Sequence, residues 1–322
     1  MKLQSRIPEI LGIRYPVVQG AMSWMTDAAF VAAVSNAGGL GMLGPHAGQT
    51  ANPTSNEEVI ERMRAEIRKV KSLTGKPFAV PVMISENPAL IVPMRDLIIE
   101  ERVPVVLINV VLDADLFRAF KDAGIKIIYR ALNPTVESAR EAERLGADVV
   151  VATGFDEGGT LPDKEIGTFA VTTHIAQAVG IPVMSAGGIA DLAGVRACFA
   201  LGAEGVYIGT AFLATHENRM AANVKQMLVD CSADDLLLFR THPAYYRSLP
   251  TELAKKMYEI SENGGSRDET AKLMQGTVGM RKGMLEGDLA GGYISVGNGI
   301  TQIKEIRSVQ ALIDDLMQDF AA

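Results

Sequence analysis

The feature that most constrains this chain is a rhythm in which short apolar runs alternate with longer segments whose apolar residues recur at helical spacing. The runs are "YPVVQG" (15–20), "LGML" (40–43), "PFAVPVMI" (77–84), "VPVVLINVV" (103–111), "IKIIYRAL" (125–132), "ADVVVATG" (147–154), "IPVMSAGG" (181–188) and "AEGVYIGTAF" (203–212). Between them, patterns such as "PTVESAREAERLGA" and "LAGVRACFALGA" carry apolar residues at helical spacing and end on glycine, a common helix C-terminal signal. Strands apolar on both faces, each followed by a helix, imply a parallel sheet covered on both sides. Eight such units in succession predict an α/β protein folded as a closed (β/α)8 TIM barrel, with an open doubly wound sheet as the alternative. A chain of 322 residues with 48% hydrophobic content can bury the core of such a barrel and carry an appendage.

The appendage follows Phe212, where the rhythm lapses. Residues 215–288 read as a mostly helical, methionine-containing cap without strand candidates of comparable strength. The last stretch, "GGYISVGNGITQIKEIRSVQALIDDLMQDFAA", spaces Ile306, Val309, Leu312, Ile313 and Leu316 as one face of a helix that should pack back on the barrel. The expected division is a barrel of residues 1–214 plus 291–322 and a cap of residues 215–290.

A formal charge of −7 with scattered Lys and Arg argues against a nucleic-acid surface, which needs a concentrated basic patch, and points to a small-molecule substrate. The two cysteines, Cys198 and Cys231, lie too far apart in sequence for a metal or redox pair, so no metal site is expected, and sparse cysteine suits a reducing compartment. Charges interrupt the N-terminal segment, and no run approaches the length of a membrane span. A cytoplasmic protein without a membrane partner is the expectation.

In a barrel the chemistry sits where strands run out at their C-terminal ends. Those ends are glycine-rich: "QGAMSW" after the first strand, "TGFDEGG" after the sixth, "SAGGI" after the seventh and "IGTAF" after the eighth. Two consecutive late strands ending in glycine offer bare backbone N–H groups to an anion, which assigns Ala186, Gly187, Gly188, Gly209 and Thr210 to a cofactor phosphate; tight turns are the alternative reading. The glycine of "QGAM" suits close approach of a flat ring to the backbone at Gly20, Ala21 and Met22. Neither GxGxxG after the first strand nor GxxxxGK[ST] is present, so neither nucleotide-binding fingerprint applies.

These residues resemble the FMN-dependent group that contains nitronate monooxygenases (2-nitropropane dioxygenases), flavin-dependent enoyl-ACP reductases and related NAD(P)H:quinone reductases. The resemblance runs over nearly the whole chain and rests on "LGIRYPVVQGAMSW", "AVSNAGGLGML", "TGKPFAV", "ERLGADVVVATGFDEGG", "GIPVMSAGGIAD", "ALGAEGVYIGTAF", "THP" and "GTVGMRKGMLEGDLAGGYISVGNGI". It implies FMN held after the first strand and by the glycine turns of the seventh and eighth. By position, Gly20, Ala21 and Met22 would lie near the isoalloxazine, Gly187, Gly188, Gly209 and Thr210 at the phosphate, and Asn298 at a site often occupied by Gln. Thr153, Gly158 and Gly159, at the end of the sixth strand, join this cofactor-binding set. A homodimer is plausible from the family.

The sequence also departs from the family. The loop that typically reads Glu-Gly-Gly-Gly-His and supplies the usual catalytic His is here "DEGGTLPD", with Thr160 and Leu161 where Gly-His would fall. Pro81 stands where the third strand often has an Asn able to bond the flavin, and proline has no N–H to offer. Asn109, Asp113 and Arg130 fall near the rim.

The catalytic candidates are therefore Asp156, Glu157, His46 and His242. Of the two carboxylates, one could bond the cofactor and the other, its pKa raised, could move protons; helix-capping acids on an exposed loop are the alternative. His46 follows the second strand and faces either the site or solvent. His242 sits in "THPAYYRS", where Tyr245, Tyr246 and Arg247 could bound a substrate or nicotinamide site. His174 and His216 read as surface residues. Arg130, if it points inward, balances a negative charge such as that of reduced flavin or phosphate; if outward, it is a surface arginine. The cap methionines Met220, Met227, Met257, Met274, Met280 and Met284 fill a core or adapt to apolar ligands. The expected function is reduction of a quinone, enone or enoyl thioester by NAD(P)H through FMN. Nitronate oxidation by O2 and non-catalytic FMN binding are the alternatives.

Overall fold

A computed structural model describes residues 3–83, 87–109 and 112–320. The ends of two strand candidates, Ile84 and the pair Val110 and Val111, lie outside the described residues. The eight expected strands form one parallel sheet: β1 (Val17–Gln19), β2 (Gly41–Met42), β3 (Phe78–Met83), β4 (Val105–Asn109), β5 (Lys126–Arg130), β6 (Val149–Thr153), β8 (Val183–Ala186) and β9 (Gly205–Ile208). β7 (Gly159–Leu161) belongs to a second sheet.

The order around the main sheet is β1-β9-β8-β6-β5-β4-β3-β2. Its two ends meet: Gln19 N donates to Leu40 O at 3.0 Å and Leu40 N to Val17 O at 2.9 Å. The sheet is thus a (β/α)8 barrel, and the open-sheet alternative is excluded. The strand pattern explains the closure. Val18, Leu107, Ile128, Val151 and Met184 point inward and pack together, with the short helix Ile7–Leu11 contributing Ile7 and Leu11 to the same cluster. Their neighbours Val80, Val106, Ile127, Val150 and Val183 point outward into the layer shared with the helices. Side chains that alternate on strands buried on both faces require both layers to be apolar, hence the continuous runs.

The helices begin and end where the sequence signals them. Asp27, Asp113 and Asp191 each accept a backbone N–H at a helix start, and Gly146 takes a left-handed φ of 99° where "EAERLG" stops. The C-terminal helix Val309–Leu316 buries Val309, Leu312, Ile313 and Leu316 and packs on the helices Ala28–Asn36 and Leu192–Ala200; Ile306 lies just before it. No described helix is long and apolar enough to cross a membrane.

Beyond the barrel, the helices Ala222–Asp230, Glu252–Glu262 and Arg267–Met274 account for the mostly helical character expected of the cap. Two short strands stand there too, although the sequence offers no strand candidate comparable with those of the barrel. β10 (Leu237–Arg240) and β11 (Tyr245–Ser248) pair antiparallel, and β11 pairs with β7 from the loop after β6, in register Leu161↔Tyr245 and Thr160↔Tyr246. These strands are three or four residues long, and the partner that stabilises them is some 85 residues away, a pairing that local pattern cannot display. Phe239, Tyr246, Ala254, Met257, Met274 and Tyr293 form a small core of their own around this sheet.

Candidate active site

The C-terminal ends of the barrel strands open into a cleft of about 820 Å³ that the cap roofs. Its floor begins after β1. Gly20 lies against Tyr207 of β9, where a Cβ would come within 2.7 Å of ring atom Cε1, and Ala21 N donates to Tyr207 Oη at 2.9 Å. The aromatic ring leaves room for backbone only, so Gly20, Ala21 and Met22 form a flat shelf on the cleft wall.

Ala186, Gly187 and Gly188 line the same cleft after β8. Gly187 and Gly188 both adopt left-handed φ, 105° and 72°. A Cβ on Gly187 would meet Thr168 Oγ1 at 2.8 Å and Gly154 O at 2.9 Å. Successive main-chain N–H groups in such a turn form an anion-binding concavity. Gly209 and Thr210, after β9, line the cleft alongside it.

Arg130 at the end of β5 points inward. It forms an ion pair with Glu157, and both side chains are largely buried, 14% and 13% exposed. Its guanidinium also lies 5.8 Å from the centre of the Tyr207 ring. Burial pushes the Glu157 carboxyl up to about 7, although the charges of Arg130 and Arg247 pull the other way. Arg247, reaching over from β11, donates to Phe155 O at 2.7 Å and to Glu157 O, fixing the backbone of the acid. The pair leaves hydrogen-bonding capacity over: Asn109 Oδ1, Arg130 Nε, Thr153 Oγ1 and Glu157 Oε1 are buried without a partner among the described residues. Buried polar atoms are rarely left so, and three of these residues, Asn109, Arg130 and Glu157, line the cleft, which marks it as prepared for a polar ligand.

Three other expected site residues are placed elsewhere. Asp156 accepts from Thr168 N at 2.8 Å and from Asn298 Nδ2 at 3.0 Å. Burial raises its pKa, but these hydrogen bonds outweigh burial and hold the carboxyl below its usual range. It therefore caps the helix Thr168–Ala176 and ties it to the C-terminal segment, which corrects its catalytic assignment and the cofactor-binding assignment of Asn298. Each satisfies the other. His46 lies off the cleft in a separate cavity, its ring centroid 4.1 Å from that of Trp24. Burial and the nearby Arg62 lower its pKa to about 4, so it is neutral at physiological pH. A loop carrying it away from the barrel axis explains the correction.

His242 does line the cleft, at its mouth: it is 57% exposed and its Nε2 lies 2.6 Å from Asp268 Oδ1. Gly158 and Gly159 line the cleft as well, yet a Cβ on Gly158 would strike Val296 C at 2.3 Å, so that glycine also lets two backbones cross. Thr160 and Leu161 stand in β7, so the stretch in which the family places its histidine is here a strand of the cap sheet. Sequence reasoning missed Tyr207, Thr241 and Ser295 as cleft residues. Only Tyr207 left a trace, as a polar aromatic in the inward register of an otherwise aliphatic strand. Of the cap methionines, Met274, Met280 and Met284 face the cleft, whereas Met220 and Met257 are buried in cores.

Comparison with known proteins decides the family: the model for nitronate monooxygenase matches residues 4–319. The chain belongs to the nitronate monooxygenase family. Members of this family are FMN-dependent oxidoreductases, and the chain is an enzyme of that class. Among curated relatives of this nitronate monooxygenase family member, a (3aS,4S,5R,7aS)-5-hydroxy-7a-methyl-1-oxo-octahydro-1H-indene-4-carboxyl-CoA dehydrogenase of Rhodococcus jostii is 33% identical over 261 residues, 79% of this chain and 68% of that protein. A probable nitronate monooxygenase of Staphylococcus saprophyticus is 30% identical, covering 81% and 83% of the two chains. The solved structure of FabK from Thermotoga maritima superposes with a TM-score of 0.86 at 32% identity over 99% of this chain and 96% of that one. Nitroalkane oxidase from Streptomyces ansochromogenes shares the fold, with a TM-score of 0.78 at 24% identity.

The residues present fit FMN. The left-handed turn Gly187–Gly188 suits a phosphate, the shelf Gly20–Met22 suits a flat ring, and the unpartnered atoms of Asn109, Arg130 and Glu157 suit a group rich in hydrogen-bonding edges.

Proposed function

We propose that this enzyme uses NAD(P)H to reduce a small acceptor with a conjugated double bond, an enone or an enoyl thioester, with quinones served by the same site. The observation that carries this reading is the Arg130–Glu157 pair in the deep cleft, an acid beside a fixed positive charge. Among the described residues the one histidine on the cleft is His242, at its exposed mouth. Hydride transfer asks for no strong base on the substrate carbon. It asks for a flat platform, an electrostatic counterweight and a proton source.

Bound FMN would supply the hydride relay between nicotinamide and acceptor. Ala186, Gly187 and Gly188 would hold its phosphate through main-chain N–H groups, and Gly20, Ala21 and Met22 would support its ring. Arg130 stays charged and counters negative charge that develops beside it. Glu157, with a pKa of about 7, is partly protonated at neutral pH and donates a proton to the acceptor carbon adjacent to the carbonyl as hydride arrives at the other end of the double bond. The acceptor gains one hydride and one proton, and NAD(P)H leaves as NAD(P)+. The Rhodococcus relative, whose name describes a CoA thioester, and the extent of the FabK match support thioester acceptors.

Nitronate oxidation by O2 is the second reading, favoured by the family model and by the Staphylococcus relative. Arg130 suits an anionic nitronate, which needs less help from a base than a neutral nitroalkane. Anaerobic stopped-flow absorbance of the flavin distinguishes the two. Rapid bleaching by NADH or NADPH alone is the expected result; bleaching by propyl nitronate and by neither nicotinamide would replace the first reading with the second.

A further inference from the structure

A second cavity, of about 440 Å³, lies beside the cleft and has no part in the cofactor site. The loops after β1 and β2, the helix Asn56–Leu73 and the residues from Asn87 to Met94 enclose it. Val59, Met63, Pro81, Leu90 and Met94 give it an apolar wall, and polar residues including Ser23, His46, Asn56 and Arg62 complete the lining. Its volume falls in the range of cavities that hold small-molecule ligands.

Three observations connect it with catalysis. First, Ser23 lines both cavities, so the second begins where the shelf Gly20–Met22 ends. Second, its one described cation is held away by partners of its own, while an imidazole is left over. Arg62 is engaged by Ala51 O at 2.7 Å and by Glu58, whereas the neutral His46 imidazole makes no hydrogen bond to the described residues. Third, the backbone beside Ser23 is strained: Trp24 and His46 both hold left-handed φ, 66° and 58°, and their rings pack together. Non-glycine residues in that region cluster at binding and catalytic sites because the surrounding structure has to enforce them. The cap enforces this one: Trp24 Nε1 donates to Thr277 O at 3.0 Å, and the Arg281 guanidinium lies 5.8 Å from the Trp24 ring.

We propose that this cavity receives the apolar acyl tail of the acceptor, so that the enzyme prefers enoyl thioesters of medium chain length over short enones. The reacting end lies over the shelf Gly20–Met22, the chain passes Ser23, and its methylenes displace water from between Val59, Met63, Leu90 and Met94. For the chemistry of the reacting end, this assignment rests on the reductase reading.

The test uses the FMN-loaded enzyme and saturated N-acetylcysteamine thioesters, butyryl, hexanoyl and decanoyl, which bind without turning over. Binding is read from the perturbation of the flavin spectrum and by calorimetry. A fully buried methylene is worth about fourfold in affinity, so decanoyl should bind at least about thirtyfold more tightly than butyryl. Val59→Trp and Met63→Trp, made separately, fill the cavity and should flatten the series to within about threefold while flavin content and Tm report that each variant is folded. A flat series in the wild type overturns the proposal, as does a steep series that survives both substitutions. Steep binding abolished by either substitution upholds the cavity even if no nicotinamide bleaches the flavin, an outcome that would remove the reductase reading instead.

Discussion

The Tyr207 ring fills the space above Gly20, and its hydroxyl accepts the N–H of Ala21 at 2.9 Å. One side chain of β9 thus sets the height and tilt of the shelf after β1. Gly20→Ala puts a Cβ 2.7 Å from the ring and forces the shelf or the tyrosine to move. Overpacking of this kind costs about 1–3 kcal/mol. FMN affinity, measured by fluorescence titration of the apoprotein, should fall at least about tenfold. Tyr207→Phe keeps the ring and loses only the acceptor, so its effect should be smaller. Unchanged affinity in Gly20→Ala would mean that the shelf does not touch the cofactor.

Glu157 gives a pH signature. Its pKa rises from an ordinary 4.5 to about 7 on folding, chiefly through burial, so the folded state favours the protonated acid. Its contribution to apoprotein stability is full below about pH 4.5 and is lost as pH rises through 7. Glu157→Gln mimics the protonated form. Relative to wild type, the variant should therefore gain Tm between pH 5 and pH 8. In turnover, wild-type kcat should fall as pH rises through about 7, and the variant should be slower by about 10²–10⁴-fold, the range for loss of a general acid. A variant of unchanged kcat would exclude Glu157 as the proton donor.

His46 has the opposite sign. Its pKa drops from 6.5 to about 4 because burial, aided by Arg62, disfavours the charged ring. The stability it lends is present above pH 6.5 and is lost as pH falls through 4. Asparagine tolerates the left-handed φ of 58° found here, so His46→Asn isolates the titration from the backbone. The stability gap between wild type and variant, followed by urea unfolding, should narrow as pH is lowered from 7 to 4. A gap independent of pH would show that the ring is solvated.

Asp156 should behave as a structural residue. Asp156→Ala removes the acceptor for Thr168 N and for the Asn298 amide. Lost hydrogen bonds of this kind cost about 1–3 kcal/mol, which thermal unfolding would detect. With FMN saturating, kcat should stay within about threefold of wild type. A collapse of kcat with Tm unchanged would restore Asp156 to the catalytic machinery.

The barrel was legible because its strands are buried on both faces, and a short, continuous β-branched run such as "ADVVVATG" suits a strand covered on both sides better than any element with a wet face. The glycine shelf and the turn at Gly187 were legible for a related reason: a left-handed or crowded backbone position restricts the residue type. The cap sheet was not legible. β11 is stabilised by a strand from a distant loop, and "AYYRS" on its own carries no sign of that partner. The carboxylates show the same limit within one dipeptide. Asp156 and Glu157 are adjacent, yet the backbone turns one toward a helix start and the other into the cleft, and only tertiary contacts with Asn298 and Arg130 tell them apart.

The pairing of β7 with β11, reinforced by Arg247 on the carbonyls of Phe155 and Glu157, fastens the acid's own loop to the roof of the cleft. A variant that loosens this pairing, such as Arg247→Ala, should disturb the Glu157 backbone as well as the roof. The acid and the roof are therefore built as one piece of the molecule.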